Sequence, residues 1–199
     1  YVWDYTTNFA QYLCPMPNME RLQKNAQYFY EKGIKGVFAQ GNYQDPVSGE
    51  FGMLRSYLLA KLLWDPYTDL EQHKQEFLNA YYGGGGAKVG EYLDILHGLV
   101  LDHNREFNLV SNAVDIFQGL ITELDALWAD AVAAAEDDET ALLHVRRSEL
   151  QYRYYKMLSK RGEFSDEENY EALAAAFNND CGELGVSYFS EGNPIPWNN

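Results

Sequence analysis

The chain has 199 residues, of which 46% are hydrophobic, so it can bury a sizeable core. Its net charge of −15 disfavours binding to nucleic-acid phosphates and to anionic lipid surfaces. No apolar run reaches the roughly 18 residues that a membrane-spanning helix needs.

Residues 1–50 have the pattern of a strand, a helix and a second strand. Residues 1–5 are aromatic and β-branched, which predicts a short strand, and residues 35–40 have the same character. Apolar side chains at helical spacing over residues 19–32 predict a helix of about four turns between them. A strand–helix–strand unit of this kind implies parallel strands joined by a right-handed crossover.

From residue 51 to about residue 180 the sequence predicts helices only. The tail, residues 182–199, is rich in Gly, Pro and Asn and is predicted to be irregular. The other predicted features, in chain order, are a helix over 51–64, a helix capped by Asp69 and ending near 82, a tight turn or hinge at 83–86, a helix after it, a helix capped by Asn112, a helix over about 138–161, and a last helix from a Ser165–Glu168 capping box to about 178.

The cysteines and histidines carry no recognisable metal or redox motif. Cys14 and Cys181 lie far apart in sequence, which favours two free, buried thiols, with a disulfide as the alternative. The four histidines form no paired pattern of metal-ligand spacing. No metal and no cofactor is predicted.

Polar and aromatic side chains cluster where the two predicted strands end. Active sites of parallel barrels lie at the carboxyl ends of the strands, and residues 3–8 and 40–44 would reach that rim. An ordinary polar loop is the alternative interpretation, and Asp4, a weak catalytic candidate, could equally accept backbone hydrogen bonds. The candidate substrate-binding residues are Trp3, Asp4, Tyr5, Gln40, Asn42 and Tyr43.

Three stretches of the chain, residues 1–9, residues 36–44, and residues 50–51 with 54–66, resemble the domain-of-unknown-function family 4838. The resemblance covers about residues 1–100. That family is similar to bacterial TIM-barrel glycoside hydrolases. The resemblance therefore implies the C-terminal βαβα end of a TIM-type barrel followed by an α-helical bundle, giving a mostly helical fold with a small parallel β portion. It also implies action on complex glycans in an extracellular, periplasmic or cell-surface location.

By this resemblance the chain supplies pocket residues and not the main acid and base. Trp3 would stack on a sugar ring, and Asp4, Gln40 and Asn42 would bond sugar hydroxyls. Ala39 stands where related sequences often have a glutamate, so the acidic pair is expected on earlier strands, and the chain alone is expected to be inactive. The resemblance further implies that Tyr5 or Tyr43 holds a polar substituent of the sugar, and that Arg55 braces a loop or helix through an ion pair.

We therefore predict barrel strands and helices over 1–66, a helical domain over 67–181 and the tail over 182–199. The predicted partners are a carbohydrate and the rest of the barrel upstream of residue 1. Two alternatives remain open: a non-catalytic glycan-binding module, and a helical module that forms homo-oligomers. The second would show an exposed apolar stripe within residues 87–178.

Overall fold

The computed structural model describes residues 1–42, 47–102, 119–160 and 167–196. Within these ranges most residues are helical, and two small two-stranded sheets complete the fold. The predicted class, mostly helical with a small parallel β portion, is confirmed. The elements are β1 (Val2–Tyr5), α1 (Met19–Glu31), β2 (Val37–Gln40), α2 (Gly52–Trp64), α3 (Leu70–Tyr82), α4 (Gly86–Asp102), α5 (Ile121–Ala134), α6 (Glu139–Lys160), α7 (Glu167–Glu183), β3 (Tyr188–Ser190) and β4 (Asn193–Pro194).

Strands β1 and β2 pair in parallel, with α1 between them in sequence, so the predicted strand–helix–strand unit is confirmed. Trp3 pairs with Phe38 and Tyr5 with Gln40. Because side chains alternate along a strand, these four residues share one face of the sheet. Asp4 therefore points to the opposite face.

One hydrophobic core joins α2 to the helical bundle. Leu58 of α2, Leu78 of α3, Leu93 of α4, Trp128 of α5 and Tyr152 of α6 all belong to it. Helices α2 to α6 thus bury their apolar sides against one another, and the core crosses the predicted boundary at residue 66. No described helix is long and apolar enough to cross a membrane.

Two local features of the bundle agree with the sequence. The Asp69 side chain accepts a hydrogen bond from the Gln72 amide at 2.9 Å and so caps α3 as predicted. Gly83–Gly85 form a single 3₁₀ turn between α3 and α4, and Gly83 has a φ of 52°. A Cβ atom on Gly84 would overlap the Ala134 carbonyl, so the glycine run lets this turn approach α5 closely.

The C-terminal end differs from the prediction. Helix α7 continues to Glu183 instead of ending near 178, and the predicted irregular tail contains the antiparallel hairpin β3–β4. Loops near the N-terminus hydrogen bond to this hairpin and to the residues just before it, and no local pattern in the sequence reveals these partners. The predicted caps Asn112 and Ser165 lie outside the described residues. Cys14 and Cys181 are both buried and are not joined by a disulfide, as the sequence predicted.

Candidate functional site

The β1–β2 sheet presents an exposed aromatic face. Trp3 is 63% exposed, Phe38 60% and Tyr5 45%, and the terminal Tyr1 is almost fully exposed. The Trp3 ring contacts Phe38 edge-on at 5.3 Å between centroids and lies 6.1 Å from Tyr5 with an interplanar angle of 23°. Contiguous exposed apolar surface of this kind marks a site of interaction with another molecule or segment.

A hydrogen bond fixes the indole of Trp3 on this face. Trp3 Nε1 donates to Gln40 Oε1 at 2.7 Å. Since the amide oxygen of Gln40 is used in this way, its NH₂ group is the part that can donate to a ligand. The backbone carbonyl of Gln40 accepts from both the amide and the hydroxyl of Thr6 at 3.0 Å, which holds the ends of β1 and β2 together.

Asp4 does not join Trp3 and Gln40. Its side chain lies on the α1 side of the sheet, where Asp4 Oδ2 accepts from Asn25 Nδ2 at 3.4 Å. Asp4 Oδ1 accepts from the Tyr5 amide at 3.0 Å. This is the backbone-bonding role that the sequence had left as the alternative for Asp4.

The other two candidates lie in the loop after β2. The half-buried Asn42 lies close to the backbone of Gly49. The two are so close that a Cβ atom on Gly49 would overlap the Asn42 side-chain amide. Tyr43 lies outside the described residues. The structure thus brings together Trp3, Tyr5 and Gln40, with Asn42 two residues beyond the end of β2.

A buried ion pair braces the loops that follow the two strands. Arg55 Nη2 contacts Glu50 Oε2 at 2.7 Å, and the two side chains are only 4% and 3% exposed. The same guanidinium donates to the Met16 carbonyl at 3.2 Å and to Asn18 Oδ1 at 3.0 Å. It therefore ties the loop after β1 to the loop before α2, and the predicted bracing role of Arg55 is confirmed.

Sequence reasoning missed two further residues that hold the loop before α2. The buried Gln151 of α6 accepts from the Phe51 amide and donates to the Gly49 carbonyl, both at 3.2 Å. The buried Ser48 hydroxyl accepts from the amides of Ser187 and Tyr188 at 3.1 and 3.2 Å. These contacts span 100 residues or more, and no local pattern in the sequence signals them.

The site carries no visible metal chemistry. No group of three or more His, Cys, Asp or Glu side chains in the described part of the chain could hold a metal ion. What the arrangement offers is aromatic surface, an oriented indole and an amide donor, which suits binding of a neutral polar ligand.

The fold and the site together define a protein that joins a two-stranded parallel sheet with an exposed aromatic face to a helical bundle. Residues 1–94 match the sequence model of the family described as Domain of unknown function (DUF4838). The resemblance seen in the N-terminal part of the sequence is therefore confirmed for this segment. No curated protein and no solved structure matches the chain.

Proposed function

We propose that the exposed aromatic face of β1 and β2 forms one wall of a glycan-binding pocket in a glycoside hydrolase-like protein that acts on complex glycans. The observation that carries this proposal is the exposed Trp3 ring, oriented by its hydrogen bond to Gln40 and flanked by Tyr5. One side of a pyranose ring is lined by C–H groups, which pack well on an aromatic ring. The hydroxyls at the sugar's edge then need donors and acceptors, and the amide of Gln40 supplies a donor.

The described face contributes binding groups and no catalytic pair. Most glycosidases need two carboxyl groups across the scissile bond. Asp4 is the one acidic residue within β1 and β2, and its side chain lies on the other face. We therefore assign the acid and the base to strands upstream of residue 1 and expect no turnover by this chain alone.

The unpaired edges of the β1–β2 sheet are consistent with pairing to further strands. Within the described residues β1 and β2 pair only with each other, so each has an edge whose backbone groups face no third strand. Such edges are normally covered or paired. Further strands of an upstream barrel would pair them and enclose the aromatic face. The location that goes with this function is outside the cytoplasm: extracellular, periplasmic or at the cell surface.

The test is direct binding of three trisaccharides, chitotriose, cellotriose and maltotriose, to the 199-residue chain by isothermal titration. We expect binding of at least one, and Trp3→Ala should weaken it about tenfold, since a lost stacking contact is worth about 1.4 kcal/mol. Gln40→Ala should weaken it less.

Trp64→Ala is the matched control, because Trp64 is 91% exposed and lies at the end of α2, outside the β1–β2 sheet. Failure of the wild-type chain to bind any of the three sugars would overturn the proposal, and so would equal affinity of the wild type and Trp3→Ala. Turnover by a longer chain that includes upstream strands separates a hydrolase from a non-catalytic glycan-binding module.

The helical dimerisation alternative has less support. This alternative predicted an exposed apolar stripe within residues 87–178. In the described part of that range, Leu173 is the single exposed large hydrophobic residue. Among the described residues, the exposed aromatic side chains lie instead in the first 67 residues.

A further inference from the structure

We propose that the C-terminal hairpin segment, residues 187–195, is a positioning element for the sugar-facing residues. This inference rests on the proposed function of the aromatic face. The segment touches both loops that follow the strands of that face, from a distance of more than 130 residues in sequence. It thereby sets the geometry of the pocket wall without contacting sugar itself.

The first set of contacts reaches the loop after β1. The Tyr12 amide donates to the Phe189 carbonyl at 2.7 Å, and the Glu191 amide donates to the Phe9 carbonyl at 3.3 Å. The Phe9 ring in turn meets the Tyr5 ring edge-on at 5.7 Å between centroids. The hairpin segment therefore holds the residue against which the sugar-facing Tyr5 rests.

The second set reaches the loop after β2. Ser48, which is fully buried, accepts the Ser187 and Tyr188 amides, so this hydroxyl satisfies two backbone donors at once. The Glu50 amide donates to the Tyr12 carbonyl at 2.8 Å, which ties the two loops to each other. One short segment thus contacts both loops, at Phe9 and Tyr12 after β1 and at Ser48 before α2.

The hairpin segment is itself anchored in the bundle. Ile195 packs in a buried cluster with Leu13, Phe177 of α7 and Leu150 of α6. The Phe189 ring stacks on Tyr154 of α6 at 5.6 Å between centroids. Because α6 also belongs to the main core, the hairpin segment connects the two loops to that core.

A pocket wall whose loops are already ordered binds sugar more tightly than one with mobile loops, because binding then costs less conformational entropy. Coupling of this kind is reciprocal: if docking of the hairpin segment raises sugar affinity, bound sugar must strengthen docking by the same factor. This reciprocity gives a signature that a merely stabilising segment would lack.

The test combines one variant with one measurement on the wild type. Ser48→Ala removes the acceptor of two backbone amides and should weaken trisaccharide binding by about fivefold or more while the protein remains folded. In the wild type, bound chitotriose, cellotriose or maltotriose should slow hydrogen exchange at the amides of Ser187 and Tyr188. Tyr152→Phe is the control: it deletes a hydroxyl that bonds Ile121 and Asp125 in the bundle, and it should lower stability without changing sugar affinity.

The outcomes separate this inference from the proposed function. If the wild type binds sugar and Trp3→Ala weakens binding about tenfold, but Ser48→Ala binds like the wild type and sugar leaves the exchange at Ser187 and Tyr188 unchanged, only the positioning role is overturned. If the wild type binds no sugar, or Trp3→Ala has no effect, the proposed function fails and this inference fails with it. Should Ser48→Ala not fold, the exchange measurement on the wild type decides alone.

Discussion

Replacing Glu50 by alanine leaves the Arg55 guanidinium buried without its carboxylate. Arg55 then keeps its hydrogen bonds to Asn18 and to the Met16 carbonyl, but it loses the contact to Glu50 Oε2 at 2.7 Å. With side-chain exposures of 4% and 3%, the two groups have little access to water. The free energy of unfolding should therefore fall steeply, and the loops after both strands should loosen together.

The expected loss of unfolding free energy follows from the burial of the Glu50–Arg55 ion pair. Breaking a buried ion pair by removing one partner costs about 3–5 kcal/mol. For a chain of this length each kcal/mol lowers the midpoint of thermal unfolding by about 2–4 °C, so Glu50→Ala should unfold roughly 10 °C below the wild type. Glu50→Gln, which keeps an acceptor oxygen, should lose only about half as much.

Equilibrium urea unfolding of five proteins, the wild type and four variants that include Glu50→Gln, measures this effect. Beside Glu50→Ala we would test the double variant Glu50→Leu/Arg55→Met, which replaces both charges by apolar groups and should recover most of the stability. Glu71→Ala is the control, because Glu71 pairs with Lys74 at the surface and should lose less than about 1 kcal/mol. A loss below about 1 kcal/mol for Glu50→Ala would refute the reasoning, and so would a double variant less stable than the single one.

Three further outcomes follow from burial and packing. Burial raises the pKa of the Glu149 carboxyl, so its contribution to folding stability is complete below the unfolded pKa of about 4.3 and is lost as the pH rises through the folded pKa. Glu149→Gln should therefore raise the unfolding temperature near neutral pH but not near pH 4. An equal rise at both pH values would contradict this reasoning. Burial raises the pKa of the Cys181 thiol to about 12, and Cys14 is buried as well, so a thiol reagent should modify neither cysteine until urea unfolds the protein. Rapid labelling of the native protein would contradict this prediction. Gly84→Ala should lower stability by about 1–3 kcal/mol in the same urea assay, while Gly98→Ala, where a Cβ meets nothing within 4 Å, should not.

Local signals in the sequence predicted much of the fold. The helical spacing that marks α1 and α2, and the Asp69 cap of α3, depend on residues within one or two turns of each other. The bracing role of Arg55 was expected by family resemblance, and its partner Glu50 lies only five residues away. Interactions of such short range leave their trace in composition and spacing, which is why a single sequence suffices for them.

The sequence alone could have predicted that the candidate site residues of β1 divide between the two faces of the sheet. In a strand, Trp3 and Tyr5 point to one side and Asp4 to the other, so the three could not all line one pocket. The loop contacts were not readable in this way. Ser48 meets the hairpin segment and Gln151 meets Phe51 across 100 residues or more, and only tertiary packing brings these pairs together.

The same long-range contacts decide whether the first 66 residues could act alone. Leu54 and Leu58 of α2 are fully buried in the core that α3 to α6 complete, and without the bundle they would be exposed. The Phe51 amide would also lose Gln151, and Phe51 has a φ of 44°, a conformation that a bulky residue keeps only when its surroundings enforce it. Residues 1–66 and the helical bundle therefore share one hydrophobic core, and we predict that residues 1–66 alone neither hold these loops in place nor bind the three trisaccharides with the affinity of the whole chain.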